Sequence, residues 1–556
     1  MYSKKILIMY SKKFFIVLFM LVSCLAAHAV PYGGSYAHKR TEWLRKAQEA
    51  MPALTETISR PLSLVTTVED ASAYQGWRMD KVGEVADYYS SSINEMPDVM
   101  VDFGRHMTGY FTFRLNTVRG VQDAPIRLRF TFGEVPSEMA VPFDPFPGSL
   151  SRAWMQDEVI TLYTIGEEVT IPRRISGRYM RIEVLGRPLG GVYSMEDMYF
   201  TAVSSAKELK VEPLGSEVPE MIRRINDVSV ATLRECMQTV FEDGPKRDRR
   251  LWVGDLYLES LANRHSFRNF GLVKRCLYLF AGLTGDEGCI VPNIFEHPEP
   301  HCYESMHLLP YSLLFNSTLL EYLKDTQDYE TAEDLWCVAV RQIEDALTFV
   351  NKAYLYDPEL RSSWIFFDWR DGLDVTATMQ AAMIFALNQT YELAQMLGKE
   401  AEVKEWKTLE RNMLKAARKH MYDKEMGVVV SGPDRQVSVL SQAWMTKAGV
   451  LDVKEAQKAL RTAMSDDSSV KPGTPYATHY VVDAMLLCGM NEEAKAYMID
   501  YWGGMVNKGA DTFWEAYDPN DDYISPYNFH PLNSYCHAWS CTPVYFIYTY
   551  PEIFQK

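Results

Sequence analysis

Asp243-Gly-Pro-Lys-Arg-Asp-Arg-Arg-Leu-Trp-Val-Gly-Asp255 packs three carboxylates, four cations and a tryptophan between two segments that read as helices. Pro245 interrupts helical continuation and biases Gly244 towards an extended conformation, which places Asp243 on a loop. Gly254 permits close approach. Leu256, Leu258, Leu261 and Ala262 then restart an apolar helical pattern, so Asp255 falls near a helix N-terminus. A helix-to-helix turn with an Asp cap and a solvated charge run accounts for any one of these residues, but not for the thirteen together.

Outward from this stretch, 556 residues with 47% apolar content exceed one ordinary core and fill at least two domains. The net charge of −16 argues against a nucleic acid or other polyanion as partner. With 33 Tyr and 12 Trp the chain has the aromatic faces that, beside carboxylates, commonly hold sugars, although most must be core.

Lys4, Lys5, Lys12 and Lys13 precede the apolar run Phe14 to Ala27, and Ala27-His28-Ala29 fits a small-x-small cleavage site. Residues 1–29 are therefore expected to be a removed signal peptide, and the protein to be periplasmic or extracellular. Leu21-Val22-Ser23-Cys24 also resembles a lipobox, whose alternative is an outer-membrane lipoprotein anchored at Cys24, the one membrane contact considered. The eight remaining cysteines are dispersed between Cys236 and Cys541, which favours buried thiols with at most one or two bridges.

Residues 30–97 form a lead-in with a short helix from Lys39 to Ala53. From about Asp98 to Ala206 the apolar period is two, as in Ile126-Arg-Leu-Arg-Phe-Thr-Phe132 and Tyr179-Met-Arg-Ile-Glu-Val184, with Gly and Pro between runs. That pattern predicts an antiparallel β-sandwich over 98–206. After Pro213 the period becomes 3.6, with twelve helices beginning near residues 216, 255, 267, 306, 328, 374, 399, 437, 453, 476, 491 and 535. Paired helices with short turns suit an (α/α)6 barrel over 213–556, and an irregular helical domain equally.

The opening stretch resembles the signature of the α-L-rhamnosidases of glycoside hydrolase family 78, an Asp-Cys-Pro-x-Arg-Glu-Arg-x-Gly-Trp-x-Gly-Asp type of sequence. Asp243, Pro245, Arg247, Arg249, Gly254 and Asp255 match in register. Trp252 falls one place early, Gly244 stands where the family usually has Cys, and Asp248 occupies the place of the general-acid glutamate. Asp102-Phe-Gly104, Thr108-Gly-Tyr110, Phe132-Gly-Glu134 and Gly177-Arg-Tyr-Met-Arg-Ile182 are similar to landmarks of the β-sandwich that precedes the family's catalytic domain. The resemblance selects the (α/α)6 barrel. Many members carry a further C-terminal β domain, which is expected to be missing here.

A glycosidase needs one group to protonate the departing oxygen and another to activate water or attack. The resemblance implies Asp248 as general acid. It implies Glu515 as general base, since Glu515 follows Trp514 as in the family's Thr-x-x-Trp-Glu segment. An inverting enzyme then places the two carboxyls about 6.5–9.5 Å apart. The implied sugar-binding set is Asp243, Asp255, Arg247, Trp252, Asp368, Trp369, Trp514 and His537. Within it Trp369 would be a stacking surface, Asp368 a hydroxyl acceptor, and Trp514 an apolar neighbour of the base. Arg247 and Arg249 orient these acids or belong to a structural ion-pair network, while Lys246 and Arg250 read as solvated charges, and Trp364 and Phe366 as core.

Glu296-His-Pro-Glu-Pro-His-Cys-Tyr-Glu304 offers histidines and glutamates for zinc, but Pro298 and Pro300 prevent an i, i+4 ligand pair on a helix, so it reads as a rim loop. No metal or cofactor is expected. No Gly-rich phosphate loop, Gly-x-Ser-x-Gly or nucleic-acid motif occurs. The expected function is an inverting hydrolase removing terminal α-L-rhamnose, or a related deoxysugar, from an oligosaccharide or glycoside. A same-fold hydrolase for another sugar and a catalytically weak surface glycan-binding protein are the alternatives.

Overall fold

A computed structural model describes residues 37–206, 211, 213–285 and 287–556. The leader expected over 1–29, with Cys24, lies outside the described residues. Among them no helix is long and apolar enough to cross a membrane.

The period-two region forms an antiparallel sheet domain with strand order β1-β9-β4-β8-β5-β6. Its strands are β1 (Thr55–Ser59), β2 (Ser63–Glu69), β3 (Trp77–Gly83), β4 (Asp98–Arg119), β5 (Ile126–Gly133), β6 (Asp157–Leu162), β7 (Glu168–Thr170), β8 (Ile175–Gly186) and β9 (Val192–Ser204). In β5, Ile126, Leu128, Phe130 and Phe132 are buried, and they join the core beside Phe111, Phe113, Met180 and Ile182. The long strand β4 pairs first with β2 and β8 and later with β7 and β9, with a register shift between Asp102 and Met107. This change of partners lets one sheet close over both sides of a single core.

The lead-in expected over 30–97 is not a separate segment. Its helix α1 (Ala37–Glu49) packs on the helical domain, and β1 to β3 belong to the sheet. Polar runs such as Thr55-Glu-Thr-Ile-Ser59 hid these strands, because β1 is an edge strand on β9 whose side chains face solvent.

Among the described residues thirteen α-helices follow: α2 (Glu220–Cys236), α3 (Val253–His265), α4 (Phe270–Gly282), α5 (Leu309–Thr326), α6 (Tyr329–Leu347), α7 (Thr376–Leu397), α8 (Trp406–Met421), α9 (Val439–Lys447), α10 (Val453–Ser465), α11 (Pro475–Leu487), α12 (Asn491–Asn507), α13 (Pro543–Thr549) and the single turn α14 (Pro551–Phe554). The odd-numbered members form the inner ring, each packed on the next, with a 3-10 turn at Ala538–Ser540 and α13 closing it back onto α3. Inner helices are buried all round: Val253 to Asn263 of α3 and Pro475 to Leu486 of α11 are buried without interruption, polar residues such as Glu259 and His479 included. Outer helices bury one stripe, as Ala456, Ala459, Leu460 and Ala463 do on α10. The result is the six-hairpin barrel.

The helix expected to begin near 535 begins at Pro543. Backbone groups of 535–538 bond elsewhere, His537 N to Phe513 O at 2.8 Å and Ala538 N to Asp243 O at 2.7 Å, so a helical ladder is forgone.

The two domains meet under the signature loop. Lys246, expected to be solvated, is 3% exposed, with Nζ 3.0 Å from Glu134 and 2.7 Å from Glu138 of the sheet domain. Glu134 also accepts from the Tyr535 backbone at 2.7 Å and meets His106 at 2.9 Å. Removing one partner of a buried ion pair strands the other charge, so Lys246→Met should destabilise the protein by about 3–5 kcal/mol. The check is the denaturant midpoint. A midpoint equal to that of the unsubstituted protein would show that the two carboxyls are held without the lysine.

Candidate active site

The signature loop closes on itself before it reaches substrate. Asp243 N donates to Arg250 O at 3.0 Å, and the Asp243 carboxylate accepts from the backbone of Arg250 at 3.0 Å and of Asp248 at 3.4 Å. A Cβ at residue 244 would stand 2.5 Å from Arg247 O and from Ser534 Oγ, so the loop as folded requires Gly244. Arg250–Trp252 then pairs antiparallel with Asn293–Phe295, and α3 begins with Asp255 in its first turn. A Cβ at Gly254 would lie 2.5 Å from the Tyr311 ring, so this glycine lets α3 seat against α5.

Glu515 arrives from the loop after α12. Its backbone N–H donates to Ser534 O at 2.9 Å, and Trp539 Nε1 donates to its carbonyl at 3.0 Å. Its carboxylate accepts from Tyr527 OH on one oxygen, and from Arg247 Nη2 and Ser534 N on the other. Arg247 is shared: Nη1 stands 3.2 Å from Asp248 Oδ1 while Nη2 holds Glu515. One planar guanidinium thus spaces the two acids. It lies on the Tyr527 ring, 4.2 Å from the centroid, and its Nε is fixed on Leu532 O at 3.1 Å.

Burial alone would raise the Glu515 carboxyl, but the Arg247 charge and the Tyr527 hydroxyl outweigh it, so Glu515 falls below the ordinary glutamate value. Asp243 and Asp255 move the other way. Burial lifts both, and the charge of Asp248 adds to Asp243 as that of Asp243 adds to Asp255. Burial lowers His537 to about 4, so its ring is neutral near pH 7. The site therefore holds Glu515 towards its ionised form while Asp243 and Asp255 are held towards their protonated forms.

Asp243, Arg247, Asp248, Trp252, Asp255, Trp369, Glu515 and His537 line one pocket. Leu308, Tyr311, Trp364, Phe366, Tyr527 and Trp539 complete the wall. Asp255 Oδ1, His537 Nδ1 and Trp369 Nε1 are buried with no hydrogen-bond partner among the described residues. Polar atoms of that kind on an aromatic wall suit a ligand with hydroxyl groups on one face and an apolar face opposite.

Two expected binding residues lie elsewhere. Asp368 does not line the pocket: its carboxylate accepts from Gly473 N at 2.8 Å and Thr474 Oγ1 at 2.7 Å, a tie between loops. Trp514 is 1% exposed and stacks on Tyr74 at 4.1 Å, turned towards the sheet domain, so it does not touch the pocket. His537 sits before a 3-10 turn, not on a helix. Arg249 is turned away as well, with Nη2 donating to Arg174 O at 2.6 Å. Arg250 is partly buried, 3.5 Å from Asp248 and stacked on Phe295 at 4.3 Å. In the 296–304 segment, Glu296 is buried on Arg275 at 3.1 Å, and none of these residues lines the pocket. Trp364 and Phe366, read as core, are wall residues. Tyr527 carried no pattern in the sequence, and only its neighbourhood to Glu515 could have pointed to it.

Two family models match the chain: the glycosyl hydrolase family 78 alpha-rhamnosidase N-terminal domain over residues 61–202, and the bacterial alpha-L-rhamnosidase six-hairpin glycosidase domain over residues 218–550. Among solved structures, the rhamnosidase from Klebsiella oxytoca with rhamnose bound is 38% identical, with a TM-score of 0.87 over 92% of this chain and 99% of that one. A family 78 rhamnosidase of Bacillus sp. GL1 is 18% identical, with a TM-score of 0.66 over 81% of this chain and 46% of that one. The Streptomyces avermitilis α-L-rhamnosidase complexed with L-rhamnose is 15% identical, with a TM-score of 0.64 over 90% and 44%. At these lower identities the likeness is one of fold. The comparison with curated proteins gave no match.

Proposed function

The chain belongs to glycoside hydrolase family 78 and is a glycosidase of the α-L-rhamnosidase type, and on that premise we propose that it removes terminal α-L-rhamnose from glycosides with inversion at the anomeric carbon. Asp248 protonates the departing oxygen, and Glu515 takes a proton from the water that attacks the opposite face of the ring. The observation that carries this reading is the Arg247 guanidinium held between the two acids. As Asp248 gives up its proton, the developing carboxylate stands 3.2 Å from Arg247 and 3.5 Å from Arg250. Glu515 is kept ionised and aimed by three donors.

Asp255, His537 and Trp369 hold the terminal sugar through the polar atoms left without partners, and Trp252, Trp364 and Phe366 offer the apolar wall for its ring and methyl group. The proposed setting is outside the cytoplasm, on the leader-like residues 1–29. Proton NMR of an aryl α-L-rhamnoside during early turnover should show β-L-rhamnose first, with the α anomer rising only by mutarotation. Initial appearance of the α anomer would overturn inversion, and hydrolysis of a different aryl glycoside alone would overturn the substrate.

A further inference from the structure

Outside the sugar pocket, Cys289, His307 and Asp345 bring together three ligand atoms of different chemistry that the proposed hydrolysis does not use. A thiol sulfur, an imidazole nitrogen and a carboxylate oxygen all lie within 4.8 Å of one another. They come from three segments: Cys289 follows α4, His307 precedes α5, and Asp345 lies on α6. Two of the atoms, His307 Nε2 and Asp345 Oδ2, stand 3.2 Å apart, within ion-pair distance of each other, and neither has a further hydrogen-bond partner among the described residues. Asp345 is 1% exposed, so Oδ2 is a buried acceptor aimed into the cluster.

The surroundings fix each ligand by its far side. His307 Nδ1 meets Ser363 Oγ at 3.1 Å, which sets the ring and leaves Nε2 facing the cluster. Asp345 is held through Oδ1 by Arg361, which leaves Oδ2 for the cluster. Arg341 Nη2 lies 3.9 Å from Cys289 Sγ and opposes, without outweighing, the burial and the Asp345 charge that push this thiol up to about 12. Glu287, 3.1 Å from Arg361, offsets the arginine charge. The cluster borders a cleft that Glu304 and Cys302 also line.

We propose that Cys289 Sγ, His307 Nε2 and Asp345 Oδ2 bind a divalent transition metal of the zinc class, with a fourth position open to this cleft. One sulfur, one nitrogen and one oxygen form a set suited to zinc, whose bonds of about 2.0–2.3 Å put tetrahedral ligand atoms roughly 3.3–3.8 Å apart. Small side-chain movements close the observed spacing to that figure. The site takes neither His297 nor His301. Its place in the fold makes its role structural, because His307 and Ser363 directly precede Leu308 and Trp364, which bridge to each other and form part of the sugar pocket's wall. Metal there would tie the outer wall to α6 without touching the reacting groups. On binding, the Cys289 thiol loses its proton to the buffer.

The test is a cobalt titration of the full chain after treatment with chelator, followed by competition with zinc. Wild-type protein should take up one equivalent, showing a thiolate-to-cobalt charge-transfer band and the visible bands of a tetrahedral ion, both abolished by zinc. Cys289→Ser should lose the charge-transfer band, and His307→Ala should weaken cobalt binding at least 10-fold. Cys289→Ser should hydrolyse an aryl α-L-rhamnoside at the wild-type rate with an unchanged far-ultraviolet spectrum, which separates loss of the site from loss of the fold. Zinc should also raise the Tm of the wild type but not of Cys289→Ser. A wild-type protein without a charge-transfer band, or one whose band survives in Cys289→Ser, would overturn the proposal.

Discussion

Glu515→Gln should lower kcat about 1,000-fold, within the ~10²–10⁴ that a positioned acid or base contributes, while affinity for free L-rhamnose stays within about three-fold. The substitution suits the site geometrically. The amide oxygen can replace the carboxylate oxygen that accepts from Arg247 and Ser534, and the amide NH₂ can face the Tyr527 hydroxyl, which accepts in turn. What disappears is the basicity of a carboxylate that the Arg247 charge holds towards its ionised form. The measurement is steady-state kinetics beside calorimetric binding of the sugar. Undiminished kcat would remove Glu515 from the reaction, and loss of binding together with rate would recast it as a sugar ligand.

Asp248→Asn should show an effect graded by leaving group. With an alkyl rhamnoside, whose oxygen must be protonated as the bond breaks, kcat/KM should fall on the order of 1,000-fold. With a strongly activated aryl rhamnoside the loss should shrink to about 10-fold or less, because that oxygen departs as a stable anion. A series of aryl rhamnosides of rising phenol pKa checks this, and an equal loss across the series would sink the general-acid role.

Local sequence pattern carried most of the architecture. Alternation in Ile126–Phe132 marked a half-buried strand and the 3.6 period after Pro213 marked the helices, while the closed barrel came from the family resemblance, because paired helices suit an irregular domain as well. Where the reading of 535–540 as the start of a helix failed, the cause was tertiary: backbone groups there are claimed by Asp243 and Phe513, which no local pattern reports. The acids after Arg247 and after Trp514 were legible because each sits in a dense motif, and they share one pocket and one guanidinium. The aromatic neighbours were harder. Trp364 and Phe366 look like core in sequence because a sugar-stacking face and a packing face are chemically alike. Asp368 and Trp514 failed for the opposite reason. Both adjoin site residues in the chain, but one is tied to Gly473 and Thr474 and the other stacks on Tyr74. A charge run says nothing of its partners either, and so Lys246 was misread: its carboxylates lie more than a hundred residues earlier.

Lys246 against Glu134 and Glu138, Arg249 on the Arg174 carbonyl and the Tyr535 amide on Glu134 make the β domain the foundation of the loops around the pocket's two acids. A protein engineer hoping to transplant this pocket onto another barrel would have to carry the strands along with the helices. Natural recombination faces the same restriction, since a foreign leading module could be spliced in only if it presented a carboxyl pair to that lysine. The portable unit of this chemistry is larger than the barrel that encloses it.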